Sequence, residues 1–269
     1  MNATFDPSLL PQSQLYLVAA AVAMARIGGL MAVFPGFTRL GLSGVLQGSV
    51  ALVLTALLIP SIKEAWTLAP HSEGETALLM FKEVIVGTTL GLFLGAPFWA
   101  AELAGSLLDL QRASSMGNLV DPANVESANI SPTLFVLFML TLFYGAGGFG
   151  LVLETLYDSY ALWPVGHFLP LFSANAGDLF LKLLDDIFAM GLMLIIPMVL
   201  ILLLADVVLA LVSRAAPNLH IFDLSLGVKN LIVALLMVPY LAFLLNYMGQ
   251  DIGWLHWTGQ RLEAIRGNP

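Results

Sequence analysis

The chain has 269 residues, of which 59% are hydrophobic and only 10% charged, and its mean hydropathy is +0.90. Soluble domains carry roughly a quarter charged residues, so this composition excludes a water-soluble globular domain and points to an integral membrane protein. The formal net charge of −8 is spread without an acidic tail or a basic patch, so nucleic acid is not an expected partner. The absence of cysteine removes disulfides, thiolate catalysis and cysteine-ligated metal centres.

The N-terminus, MNATFDPSLLPQSQ, lacks a basic region and does not read as a cleaved signal peptide. A first apolar span is predicted from about Leu15 to Phe34, with Arg26 inside it. An arginine at that depth costs about 2.5 kcal/mol or more on insertion scales. It is therefore expected to snorkel or pair within the protein, or else to face a water path or a partner subunit. A second span is predicted from about Leu42 to Ile59, stopping at Pro60. Gly41-Leu42-Ser43-Gly44 at its start resembles the nucleophile motif of rhomboid-type proteases, but no general base is placed to activate Ser43.

After a polar connection over 61–76, a third span runs from Ala77 to about Trp99. Gly87, Gly91 and Gly95 share one of its faces and predict close helix packing. Pro97 is expected to kink or break the helix. If the pattern continues to Gln111, Glu102 and Asp109 fall on one face with Arg112 a turn further on, as an ion-pair network or as contacts to partner subunits or a pore. From Ala77 to Gln111 such a helix is roughly 50 Å long, more than one hydrocarbon core. A small-residue loop follows, and Ser131-Pro132 predicts a helix start with Ser131 as N-cap.

The fourth span, Thr133 to about Tyr144, is interrupted by Gly145, Gly147, Gly148 and Gly150 and resumes over Leu151 to Tyr160. Leu179 to Leu211 and about Leu224 to Met248 form a helical hairpin. Asp206 and Arg214, eight apart, are placed to pair within the first of these helices or across a subunit contact. Residues Asp251 to Arg266 read as an amphipathic surface helix. The fold class is thus all-α: a multi-helix integral membrane protein with long kinked helices and a C-terminal hairpin, organised as a single membrane domain over 1–269.

No phosphate loop, zinc motif or histidine cluster is present, so no catalytic, cofactor-binding or metal-ligating residue is expected. The residues alone leave a channel, a transporter or a complex subunit open.

The run Pro97-Phe98-Trp99-Ala100-Ala101-Glu102, then Gly105, Asp109-Leu110-Gln111-Arg112 and Asp121-Pro122, resembles the T component (SctT) of the bacterial type III secretion export apparatus, whose flagellar counterpart is FliR. The likeness continues in Phe143-Tyr144 with Gly147-Gly148, in Asp158-Ser159-Tyr160 with Trp163-Pro164, and in Arg214-Ala215-Ala216-Pro217-Asn218-Leu219-His220-Ile221-Phe222. It implies a non-enzymatic subunit, one copy per assembly, that joins R and S components in an export gate for unfolded secreted proteins. The resemblance further implies a gate that belongs to the bacterial inner membrane and lies partly at periplasmic level. The U switch component and the inner rod or needle base are further implied partners, besides membrane lipid. Residues 1–175 would be R-like and 176–269 an S-like hairpin with its tail. By the same resemblance Ser114, Ser115, Met116, Gly117, Asn118 and Leu119 occupy the place of a pore plug, smaller and more polar here than in the flagellar relative. Arg26, Glu102, Asp109, Arg112, Asp206 and Arg214 are the expected structural or subunit-contact charges.

Overall fold

A computed structural model describes residues 12–41, 44–56, 58–60, 62, 72–112, 130–166, 176–215 and 221–253. They form eight helices: α1 (Gln12–Val33), α2 (Pro35–Thr38), α3 (Gly44–Ala56), α4 (Glu73–Gln111), α5 (Ile130–Gly145), α6 (Gly148–Leu162), α7 (Ala176–Ala215) and α8 (Ile221–Ile252). No strand occurs among the described residues. The all-α membrane class read from composition holds. Four helices are long and apolar enough to cross a bilayer, or up to five spans if α5 and α6 count as one broken span.

The local signals account for the ends of these helices. At the start of α4, Ser72 Oγ accepts from the Glu75 N–H at 3.3 Å, and Glu75 Oε2 accepts from the Ser72 N–H at 2.8 Å. This reciprocal capping box satisfies two otherwise orphaned donors. Between α5 and α6 the chain turns at Gly147, whose φ of +76° favours glycine. One sequence expectation needs correction. Helix α3 has 13 residues, about 20 Å of rise, too short to cross a core of roughly 30 Å. Helix α4 follows the continuing pattern through Pro97 to Gln111, 39 residues in all and about 58 Å long. A proline removes one backbone bond and crowds the preceding turn, which a well-packed helix tolerates. Pro197 and Pro239 likewise lie inside α7 and α8.

The described residues divide into two compact units. The first draws on Met1–Gly95 and Phe149–Leu183, the second on Ala96–Gly148 and Leu184–Trp254. The divisions fall inside α4 and α7, so each of these helices serves both units.

In the first unit, α1 packs on α2 and α3, and its contact with α4 depends on missing side chains. A Cβ on Gly87 would lie 1.9 Å from the Arg26 carbonyl oxygen, and one on Gly29 would lie 2.5 Å from that of Val84. Leu15, Ala19, Val22, Ala23, Ile62, Leu79 and Val165 form its core cluster. In the second unit α8 packs on α5, and Phe98 meets Phe143 edge to face at 5.4 Å. A Cβ on Gly105 would lie 2.5 Å from Pro132. The Tyr240 hydroxyl of α8 donates to the Leu194 carbonyl of α7. Much of α7 and α8 remains uncovered, including Leu200, Leu204, Leu211, Leu231, Leu235 and Val238. Apolar surface of this extent marks a membrane or protein contact.

Candidate functional site: two buried charge networks

In the first unit the network starts at Arg26 on α1, whose side chain is wholly buried. Its Nε donates to Glu83 Oε2 at 2.5 Å, one terminal nitrogen to Ser159 Oγ at 2.9 Å and the other to the Trp163 carbonyl at 2.7 Å. The guanidinium carbon also sits 3.9 Å from the centre of the Tyr160 ring, a cation–π arrangement. Lys82 Nζ lies 2.6 Å from Glu83 Oε1 and donates to the carbonyls of Pro164 and Val165 at 3.1 and 3.2 Å.

Two cations thus share one carboxylate. The remaining negative potential comes from the ring face and from three carbonyls just beyond the C-terminus of α6, the negative end of its dipole. A buried charge persists only when paired and hydrogen-bonded, and this arrangement joins α1, α4 and α6. Of the alternatives for Arg26, the structure places it in an internal pair.

In the second unit the charges gather where α4 ends. Asp109 Oδ1 pairs with Arg112 at 2.6 Å, and Asp109 Oδ2 accepts from the Ser131 N–H at 3.3 Å. Helix α5 already begins at Ile130, so Ser131 lies within its first turn, and a carboxylate from α4 serves one of that turn's orphan donors. Lys229 of α8 pairs with Asp206 of α7 at 2.6 Å and donates to the Gln111 carbonyl at 3.2 Å. This carbonyl belongs to the last residue of α4. Two cations and two carboxylates therefore flank the point where the chain leaves α4 and the point where it enters α5.

The partner of Asp206 corrects the sequence reading. It is Lys229 on the neighbouring helix, while Arg214 is exposed in the last turn of α7. Glu102 is half-buried on α4. Ser114, Ser115, Met116, Gly117, Asn118 and Leu119 lie outside the described residues, as do Ser43, His220 and the tail beyond Gly253. Sequence reasoning gave Lys82 and Glu83 no role and overlooked Lys229. The available signal was a lone ionisable residue in an otherwise apolar span, which needs a partner wherever it occurs.

Residues 17–253 match the model of the family described as bacterial export proteins, family 1. The chain belongs to that family. Among its relatives, the Yop proteins translocation protein T of Yersinia pestis is 30% identical over 228 residues, 83% of this chain and 86% of the relative. The secretion system apparatus protein SsaT of Salmonella typhimurium is 29% identical over 238 residues, 86% of this chain and 90% of the relative. The flagellar biosynthetic protein FliR of Bacillus subtilis is 27% identical over 218 residues, 79% of this chain and 82% of the relative. The resemblance to the type III secretion T component and its flagellar counterpart therefore stands. As a bacterial export protein the chain holds both charge networks inside the matched region.

Proposed function

We propose that this bacterial export protein is the T subunit of a type III secretion export gate in the bacterial inner membrane. The observation that carries the reading is the family match over 17–253, together with relatives from virulence-type and flagellar export systems along most of the chain. The gate is formed with R and S components, one T copy closing the ring, and it passes unfolded secreted proteins. The U component and the inner rod or needle base adjoin it. Residues 1–175 supply the R-like part and 176–269 the S-like hairpin. Helices α4 and α7, each longer than a bilayer core is thick, suit a gate that rises above the membrane plane.

The function is steric and electrostatic, with no bond made or broken. Residues 113–120 form the plug of the closed pore, with Met116 and Leu119 as its apolar part, since methionine adapts to irregular space. Arg26, Glu102, Asp109, Arg112, Asp206 and Arg214 hold the subunit together or meet its neighbours.

The break between α5 and α6 is the one observation favouring a secondary transporter instead. The mass and composition of the particle extracted in mild detergent separate the two. A hetero-oligomer with several R and S copies supports the gate, and a monomer or dimer stabilised by a small substrate supports the transporter. In the assembled particle, deleting residues 113–120 is expected to open an ion leak. Unchanged conductance with intact assembly would remove the plug assignment.

A further inference from the structure

We propose that Lys229 is a positioning residue that fixes the C-terminal end of α4 against the α7–α8 hairpin, and that its hydrogen bond to Gln111 matters apart from its charge pairing with Asp206. Lys229 lies within the apolar span Ser225–Gln250 and is buried. An ammonium there persists only with partners. One partner, Asp206, would suffice to neutralise it. Yet the same nitrogen reaches a backbone carbonyl 118 residues away in sequence. The last four carbonyls of a helix lack intrahelical donors, and a cation at that end also meets the negative pole of the helix dipole.

Lys229 thus answers two needs with one group. It brings α7, α8 and the last residue of α4 together at one point within the second unit. In the last turn of α4, Leu108 is buried and Asp109 bonds to the first turn of α5, while Lys229 ties the Gln111 carbonyl to α8. Leu110 is exposed, and the Arg112 N–H closes the turn on the Leu108 carbonyl at 3.1 Å. The place from which the chain departs after Gln111 is therefore held from two sides, by the bond of Asp109 to α5 and by Lys229 from α8.

The two roles separate by substitution. Lys229→Arg keeps both the charge and the donors. The exchange Asp206→Lys with Lys229→Glu keeps the ion pair but leaves position 229 with no donor for the Gln111 carbonyl. Lys229→Met removes both functions. The measurement is amide hydrogen exchange over residues 108–112 in the full-length protein, purified in detergent within its native complex, with residues 90–100 as internal reference.

Removal of a hydrogen bond from a charged donor should raise exchange in that last turn about tenfold. The increase is expected in the double exchange and in Lys229→Met, with near wild-type protection in Lys229→Arg. Protection restored by the double exchange would mean that the ion pair alone suffices, and would overturn the proposal. If Lys229→Met does not assemble, the comparison of Lys229→Arg with the double exchange still decides. A second readout, ion leak through the assembled particle, deepens the plug reading and rests on it. Lost protection without leak would count against the plug while supporting the positioning role.

Discussion

Arg26 Nε and Glu83 Oε2 lie 2.5 Å apart across 57 residues of sequence, and both side chains are wholly buried. Removing Arg26 leaves the Glu83 charge balanced by Lys82 but takes the donors from Glu83 Oε2, Ser159 Oγ and the Trp163 carbonyl. Arg26→Met should therefore destabilise the protein by about 1–3 kcal/mol for each buried acceptor left without its donor. The expected outcome is a sharply lower yield and thermal midpoint in detergent. Wild-type stability would mean that the guanidinium contributes little to joining α1, α4 and α6.

Gly87 and Gly28 should respond to alanine with opposite signs. At Gly87 the new Cβ would collide with the Arg26 carbonyl, and overpacking of this kind costs about 1–3 kcal/mol. At Gly28, exposed on α1, nothing lies within 4 Å. There alanine should be neutral or stabilise by up to about 1 kcal/mol through helix propensity. Thermal midpoints of the two variants, measured side by side, check the direction.

Asp109 serves two elements, pairing with Arg112 and accepting from the first turn of α5. Asp109→Ala should cost about 1 kcal/mol as a lost helix cap, with a further loss from the broken ion pair. The effect should be local. Faster amide exchange over residues 130–134 is expected, while the middle of α5 stays protected. Uniform change along α5 would argue against a capping role.

Tyr240→Phe should have a small effect. Its hydroxyl donates to the Leu194 carbonyl between α8 and α7, and interhelical hydrogen bonds in membranes average about 0.6 kcal/mol. Tyr240→Phe keeps the ring that stacks on Phe243. The thermal midpoint should fall slightly, with assembly unchanged. Loss of assembly would show that the hydroxyl does more than hold the hairpin.

The sequence made some of this architecture legible and hid the rest for physical reasons. Long apolar runs announce membrane helices because length and hydropathy are local properties, so α1, α4, α7 and α8 were readable. The capped start of α5 was visible at Ser131-Pro132, but its helix begins at Ile130 and a carboxylate of α4 bonds to its first turn, which no local pattern encodes. Pro97 reads as a kink or a break because its penalty is local, whereas the packing that carries α4 past it to Gln111 is tertiary. Asp206 looked toward Arg214 because both lie on one helix, yet its partner arrives on the next helix. The likeness of short motifs to a known family supplied the function that periodicity and spacing left open. The segment proposed as the plug lies outside the described residues, so its role rests on that likeness.

Because α4 and α7 each belong to both compact units, neither unit can close early during synthesis. The first still awaits Phe149–Leu183 when Gly95 has left the ribosome, and the second awaits the hairpin after Gly148. Domains ordinarily fold one after another as they emerge. Here the two units interleave along the chain, and a product truncated near residue 148 would contain neither in full.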